Sequence, residues 1–201
     1  MKLLPIILLA TLTLGGCSLL PAPAPTPTID PGPVTLSKAD AAERYLQIVC
    51  PVNAASQAVT DAGIAREPEV AAGGAPDPTD INAAAVEAAR VDGLAVDAIE
   101  DEYFEWPGDV GTQLGYIRDV LVGEMRALRA GVDAPLFEEA YFGHKQEMTS
   151  EQAAAGQEIR SQLELDFDPD ASCVGYENAL DGLTQEMLDR IEYLAQFEKS
   201  E

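Results

Sequence analysis

From Ala42 to Leu194 apolar residues recur every three or four positions, and no stretch after residue 34 alternates in the way a strand requires. That period is the strongest constraint on what this chain can fold into, because an apolar stripe 3.6 residues apart is buried only by packing helix against helix. Ala42, Tyr45, Val49, Val52, Ser56 and Val59 line a first helix to about Ala62, opened by Ser37 with Asp40 three residues on and carrying Pro51, where a kink is expected. Glu67 to Asp80 reads as a Gly/Pro loop, and Thr79 or Asp80 caps a second helix with Ile81, Ala84, Ala88, Val91, Ala95 and Ile99 inward. Trp106-Pro107-Gly108-Asp109 is a turn, and Asp109 caps a third helix through Leu114, Ile117, Leu121, Met125 and Leu128, stopped by Gly131. A fourth helical stretch covers Glu147 to Leu165. A last one places Val174, Glu177, Leu180, Leu183, Met187, Ile191 and Leu194 on one face, with a break near Gly182. The expected fold is all-α, a bundle of four to five helices.

Ahead of the periodic region, Pro21 to Pro33 holds prolines at 21, 23, 25, 27, 31 and 33, too few backbone donors for helix or sheet. Such a stretch favours polyproline II, at about 3.1 Å per residue, and makes a spacer of roughly 40 Å. Residues 37–201 then form one domain of a size that supports a core. The 35 acidic residues against 12 basic ones leave a net charge of −23. A chain so acidic lacks the cations to neutralise phosphates, so no nucleic-acid partner is expected. The same charge repels anionic lipid head groups, so contact with a membrane needs a covalent anchor.

Met1-Lys2, the apolar run Leu3 to Leu14 and the small residues before Cys17 have the layout of an export signal, and the run is shorter than the roughly 20 apolar residues that span a bilayer. Leu14-Gly15-Gly16-Cys17 resembles the lipobox of bacterial lipoproteins. The resemblance implies cleavage after residue 16 and lipid attachment at Cys17, as a thioether-linked diacylglyceryl group, often with an acyl chain such as palmitate on the new amino terminus. It divides the chain into a signal peptide (1–16), a lipidated Pro-rich linker (17–36) and a helical domain (37–201), held through lipid on the outer face of a cell membrane. Two or more acyl chains make a stable anchor. With Cys17 assigned to lipid by that resemblance, Cys50 and Cys173 remain as an even pair in an oxidising compartment. They form either one disulfide, closing a loop of about 123 residues worth on the order of 5 kcal/mol, or two buried thiols. With one histidine in the chain, the two cannot build a structural zinc site. Ala41 to Asn53, AAERYLQIVCPVN, also resembles the first helix of acidic, Ala-rich helical lipoproteins of actinobacteria, a likeness that implies no activity.

Candidate sites are few. Asp166, Asp168, Asp170, Ser172 and Glu177 stand at positions 1, 3, 5, 7 and 12 of a twelve-residue stretch, the spacing by which an EF-hand loop surrounds calcium with oxygen. Ala171 in place of the turn glycine, together with Pro169 and Val174, departs from that pattern, and the other reading is a solvated acidic turn. Tyr103, Phe104 and Trp106 lie among carboxylates and could meet a cationic or sugar ligand, or close the end of the core. Phe137, Tyr141 and Phe142 form a second aromatic group. His144 stands alone, and Arg118, Arg126 and Arg129 share related faces of the third helix, the later two suited to its dipole. No phosphate loop, dinucleotide glycine motif, nucleophile elbow or His-Glu-x-x-His is present, so an enzyme is not expected, nor any cofactor beyond calcium at the acidic stretch. Two functions follow as expectations: a lipid-anchored, extracytoplasmic, non-catalytic domain that contacts an envelope protein or other envelope component, or a ligand- or calcium-binding lipoprotein.

Overall fold

A computed structural model describes residues 32–143 and 147–198; the expected signal peptide, Cys17, most of the linker and His144 lie outside them. The chain runs β1 (Val34–Thr35), α1 (Lys38–Ile64), α2 (Glu67–Ala71), α3 (Thr79–Ile99), β2 (Phe104–Glu105), α4 (Val110–Gly131), α5 (Phe137–Phe142), α6 (Ser150–Leu163), α7 (Pro169–Ser172) and α8 (Ala179–Glu198). The architecture is an all-α bundle in which α3 packs on α1 and α4, α6 packs on α4 and α1, and α8 lies against α1 and α3. No helix among the described residues is long and apolar enough to cross a membrane.

Local chemistry accounts for several helix starts. The Ser37 hydroxyl accepts from the Asp40 N–H at 3.2 Å and donates to the Asp40 carboxylate at 2.6 Å, so the two residues expected to cap α1 do so, with the reciprocal bond made side chain to side chain. The expected Gly/Pro loop contains the one-turn helix α2, which Pro68 can open because its missing N–H lies in the first turn. The cap of α3 differs from expectation: Pro78 holds the N-cap position, and the Asp77 carboxylate accepts from the Thr79 N–H at 2.9 Å and its hydroxyl at 2.6 Å. The Trp106–Asp109 turn has Gly108 at φ 60°, which a side chain would resist. At α6, Thr149 and Gln152 form a full capping box that the sequence reading did not single out.

The apolar stripes meet in two clusters. One joins Tyr45, Ile48 and Cys50 of α1 to Val91 and Ala95 of α3, Leu114 and Leu121 of α4, Ile159 of α6, and Leu180 and Leu183 of α8. The other gathers Val59, Ile81, Ala85, Leu128 and Phe137 around the far end of α1. The last helix departs from the sequence reading. It starts at Ala179 and runs through Gly182 unbroken, while Val174 and Glu177 lie outside it. Ile191, expected inward, is 59% exposed, and the position that points inward instead is Arg190. The two-residue strands are a further departure: Val34 pairs in parallel with Phe104, too short a ladder to leave a pattern in the sequence.

Cys50 and Cys173 are joined in a disulfide with Cα atoms 5.3 Å apart. It connects α1 to the residue that closes α7, a little ahead of α8 rather than within it.

Gly63 near the end of α1 lies against the ring of Tyr141, which stacks on Phe137 at 5.6 Å; a Cβ at Gly63 would fall 2.0 Å from the ring. Gly63→Ala is therefore expected to lower stability by about 1–3 kcal/mol through overpacking, measured by urea unfolding. In a Tyr141→Ala background the same change should cost almost nothing.

Candidate functional site

The groups of most chemical interest are charges that stand on the apolar stripes. Arg44, Asp92, Arg160 and Arg190 are buried, in a chain with only 12 basic residues. Burying a charge is tolerated where it is paired and hydrogen-bonded, and the four differ in how far that condition is met.

Arg44 of α1 and Arg190 of α8 are brought together by Asp101, which follows α3. One oxygen of Asp101, Oδ2, accepts from Arg44 Nη2 at 3.2 Å and from Arg190 Nη2. Glu186, one turn before Arg190 on α8, accepts from Arg190 Nη1 at 2.8 Å and Arg44 Nη1 at 3.3 Å. Beneath the guanidinium groups lie the two rings of the Tyr103-Phe104 pair, set edge to face at 4.8 Å. Arg44 sits 3.9 Å above Phe104 and Arg190 4.2 Å above Tyr103, so each cation has an aromatic face as well as a carboxylate. Two positive and two negative charges balance. Desolvation still holds the Arg44 pKa below its ordinary value, opposed by Glu186 and Asp101. The Arg44 Nε–H has no hydrogen-bond partner among the described residues.

This cluster is where the expected aromatic site resides. Tyr103, Phe104, Glu186 and Arg190 border an open groove of about 700 Å³. On the other side of the turn Trp106, Glu100, Glu102 and Arg118 border another of about 510 Å³. Arg118 there is engaged by Asp119 at 2.6 Å and Glu100 at 3.5 Å. The aromatics thus both close the core end and border concave surface, and the carboxylate directed inward, Asp101, is committed to arginine. In the second aromatic group, Phe137 and Tyr141 pack into the cluster around Val59 and Leu128.

The acidic stretch folds around a cation of the protein's own. Asp166 Oδ1 accepts from the Asp168 N–H at 2.9 Å, Asp168 Oδ1 from the Asp170 N–H at 3.0 Å as the cap of α7, and Glu177 Oε2 from the Gly175 N–H at 2.9 Å. Those three carboxylates each serve a neighbouring amide. Arg160 Nη1 donates to the Asp166 carbonyl at 2.7 Å and to the Ser172 hydroxyl at 2.6 Å, and Ser172 in turn donates to the Asp168 carbonyl at 3.0 Å. The EF-hand spacing is present, but the five side chains are not gathered round a common point, and no group of three or more His, Cys, Asp or Glu among the described residues is placed to hold a metal ion.

Asp92 of α3 is 2% exposed and its Oδ2 has no hydrogen-bond partner among the described residues. Burial, with a smaller contribution from Glu124 on α4, pushes its carboxyl up to about 8. Glu124 accepts a hydrogen bond from Ser56 of α1 at 3.0 Å, so three helices bring polar side chains to one place in their interface.

None of these buried charges was singled out from the sequence. The signal was present: Arg190 lies in register with Leu183 and Met187, and Asp92 is four residues from Ala88. A charge on an inward stripe asks for a partner, and the partner is distant in sequence. Comparison with protein-family models, curated proteins and solved structures finds no match to this chain.

Asp101→Asn, which leaves two buried guanidinium groups without their shared carboxylate, is expected to cost about 3–5 kcal/mol. Glu186→Gln, at a side chain 49% exposed, should cost under about 1 kcal/mol; denaturant midpoints compare the two. For Asp92 the folded pKa lies above the ordinary 3.8, so the bound proton stabilises the fold at low pH and that contribution is lost as pH rises through about 8. Unfolding at pH 5, 7 and 9 should show wild type losing stability relative to Asp92→Asn, by at most about 1.4 kcal/mol per pH unit.

Proposed function

We propose that this chain is a lipid-anchored, extracytoplasmic helical domain that works by contact with envelope protein rather than by catalysis. The observation that carries the reading is the Cys50–Cys173 disulfide, a bond that persists in oxidising compartments outside the cytosol. It agrees with the export-type segment and lipobox-like Leu14-Gly15-Gly16-Cys17, and with the proline-rich residues that follow. The Arg44–Asp101–Arg190–Glu186 cluster supports the non-catalytic part, since its charged groups are engaged with one another in holding α1, α8 and the turn after α3.

The anchor is tested on protein made in a bacterial host with lipoprotein processing. The native sequence should enter the detergent phase on phase partition and gain the mass of a diacylglyceryl group on a fragment beginning at Cys17. Cys17→Ser should move to the aqueous phase. A Cys17→Ser protein that stays with the membrane would sink the lipoprotein reading.

A further inference from the structure

The groove of about 700 Å³ beside α8 has a mainly apolar surface, and two observations mark it as a place for extended chain. The first is Gly182 in its wall. This glycine lies within α8 and is exposed, and among the described residues a Cβ there would meet no side chain or other element within 4 Å. Glycine weakens a helix relative to alanine, and it is used where another backbone has to come close. The second is where the described chain begins. Gly32 lies against the Tyr103 ring, so closely that a Cβ on it would fall 2.7 Å from ring atoms, and Val34 is itself in the groove wall with Tyr103. The residues ahead of Gly32 therefore set out from the edge of the groove.

Their chemistry fits it. Ser18 to Ile29 carries no charge, and the prolines at 21, 23, 25, 27 and 31 favour polyproline II. Segments of that kind dock in aromatic-lined grooves, at low entropic cost because the conformation is preformed. Here Tyr103 and Phe104 supply the aromatic wall, and Glu186 and Asp189 stand at the rim. An uncharged segment approaches those acids without the repulsion that most of a chain of charge −23 would meet. Length agrees as well. Arg190, 4.2 Å above the Tyr103 ring, and Gly182 are both in the α8 wall, about 12 Å apart along the helix. Polyproline II advances about 3.1 Å per residue, so roughly four steps cross that distance, from Pro31 back to Pro27. With three residues per turn, Asp30 can face solvent while its neighbours face the wall.

We propose that Pro27 to Pro31 of the chain's own linker, which lie outside the described residues, dock along this groove with their backbone passing over Gly182. The docking does not depend on the lipid. Its consequence rests on the anchored reading above: a docked linker leaves the domain in one direction and so fixes which side the domain turns to the membrane.

The test is pulsed electron double resonance on the full chain with Cys17→Ser, in detergent, spin-labelled through Ala24→Cys on the linker and Glu158→Cys on the exposed side of α6. A narrow distance distribution is expected, unchanged by an excess of unlabelled chain. It should broaden by about twofold or more in Gly182→Gln, which fills the groove, and in the double variant Pro27→Gly, Pro31→Gly, which loosens the linker; circular dichroism checks that both keep the helical fold. A broad distribution in the parent chain, or a narrow one that survives Gly182→Gln, would overturn the proposal. A narrow distribution lost on dilution with unlabelled chain would overturn it too, by putting the linker of a second copy in the groove.

Discussion

One carboxylate oxygen, Asp101 Oδ2, receives two guanidinium groups from helices at opposite ends of the chain. The arrangement of the bundle depends on that meeting. Arg44 lies in the first turns of α1 and Arg190 in the middle of α8, and neither can be buried unless the turn after α3 delivers Asp101 between them and Phe104 beneath them. Loss of the shared partner would leave unpaired charge inside, a state costlier than an apolar replacement would be. The cluster therefore sets the rotation of α8, turning Arg190 inward and leaving Ile191 exposed. The parallel pairing of Val34 with Phe104 holds the start of the domain to the same turn.

The chain's charge imbalance gives its few cations particular roles. Arg44 and Arg190 are neutralised inside by carboxylates, and Arg160 organises the acidic 166–172 loop through a carbonyl and a hydroxyl. A stretch whose spacing resembles a calcium loop is in this way arranged by a guanidinium and by its own amides. Arg160 differs from the other two in being held by neutral groups, the Asp166 carbonyl and the Ser172 and Tyr45 hydroxyls.

The disulfide lies on the same side of the molecule as that loop. Cys173 closes α7, and its bond to Cys50 ties the loop to α1 directly beneath it. With Arg160 holding the loop from α6, α1 and α6 are joined through it. Both devices resist local opening of the loop, and the disulfide suits the extracytoplasmic location proposed above, where no reducing system would undo it.

The apolar period in the sequence determined the helical class and the approximate extent of α1, α3 and α4, and local residues gave the Ser37 cap and the place of the Trp106–Asp109 turn, where Asp109 holds the N-cap position of α4 but its carboxylate accepts from the Gln113 side chain instead of capping. The lipobox resemblance of Cys17 left Cys50 and Cys173 as a pair, open between a disulfide and two thiols, and the fold that brings them together decided for the disulfide. Only the tertiary structure decided which charges are buried and with whom. Arg44, Asp101 and Arg190 are scattered along the chain, and Arg160 and Glu124 both border a cleft that exists only when three helices are in place. Periodicity reports which face of a helix is apolar. It does not report the rotation or distant partner that makes a charge on that face tolerable, since both are set by contacts far away in sequence.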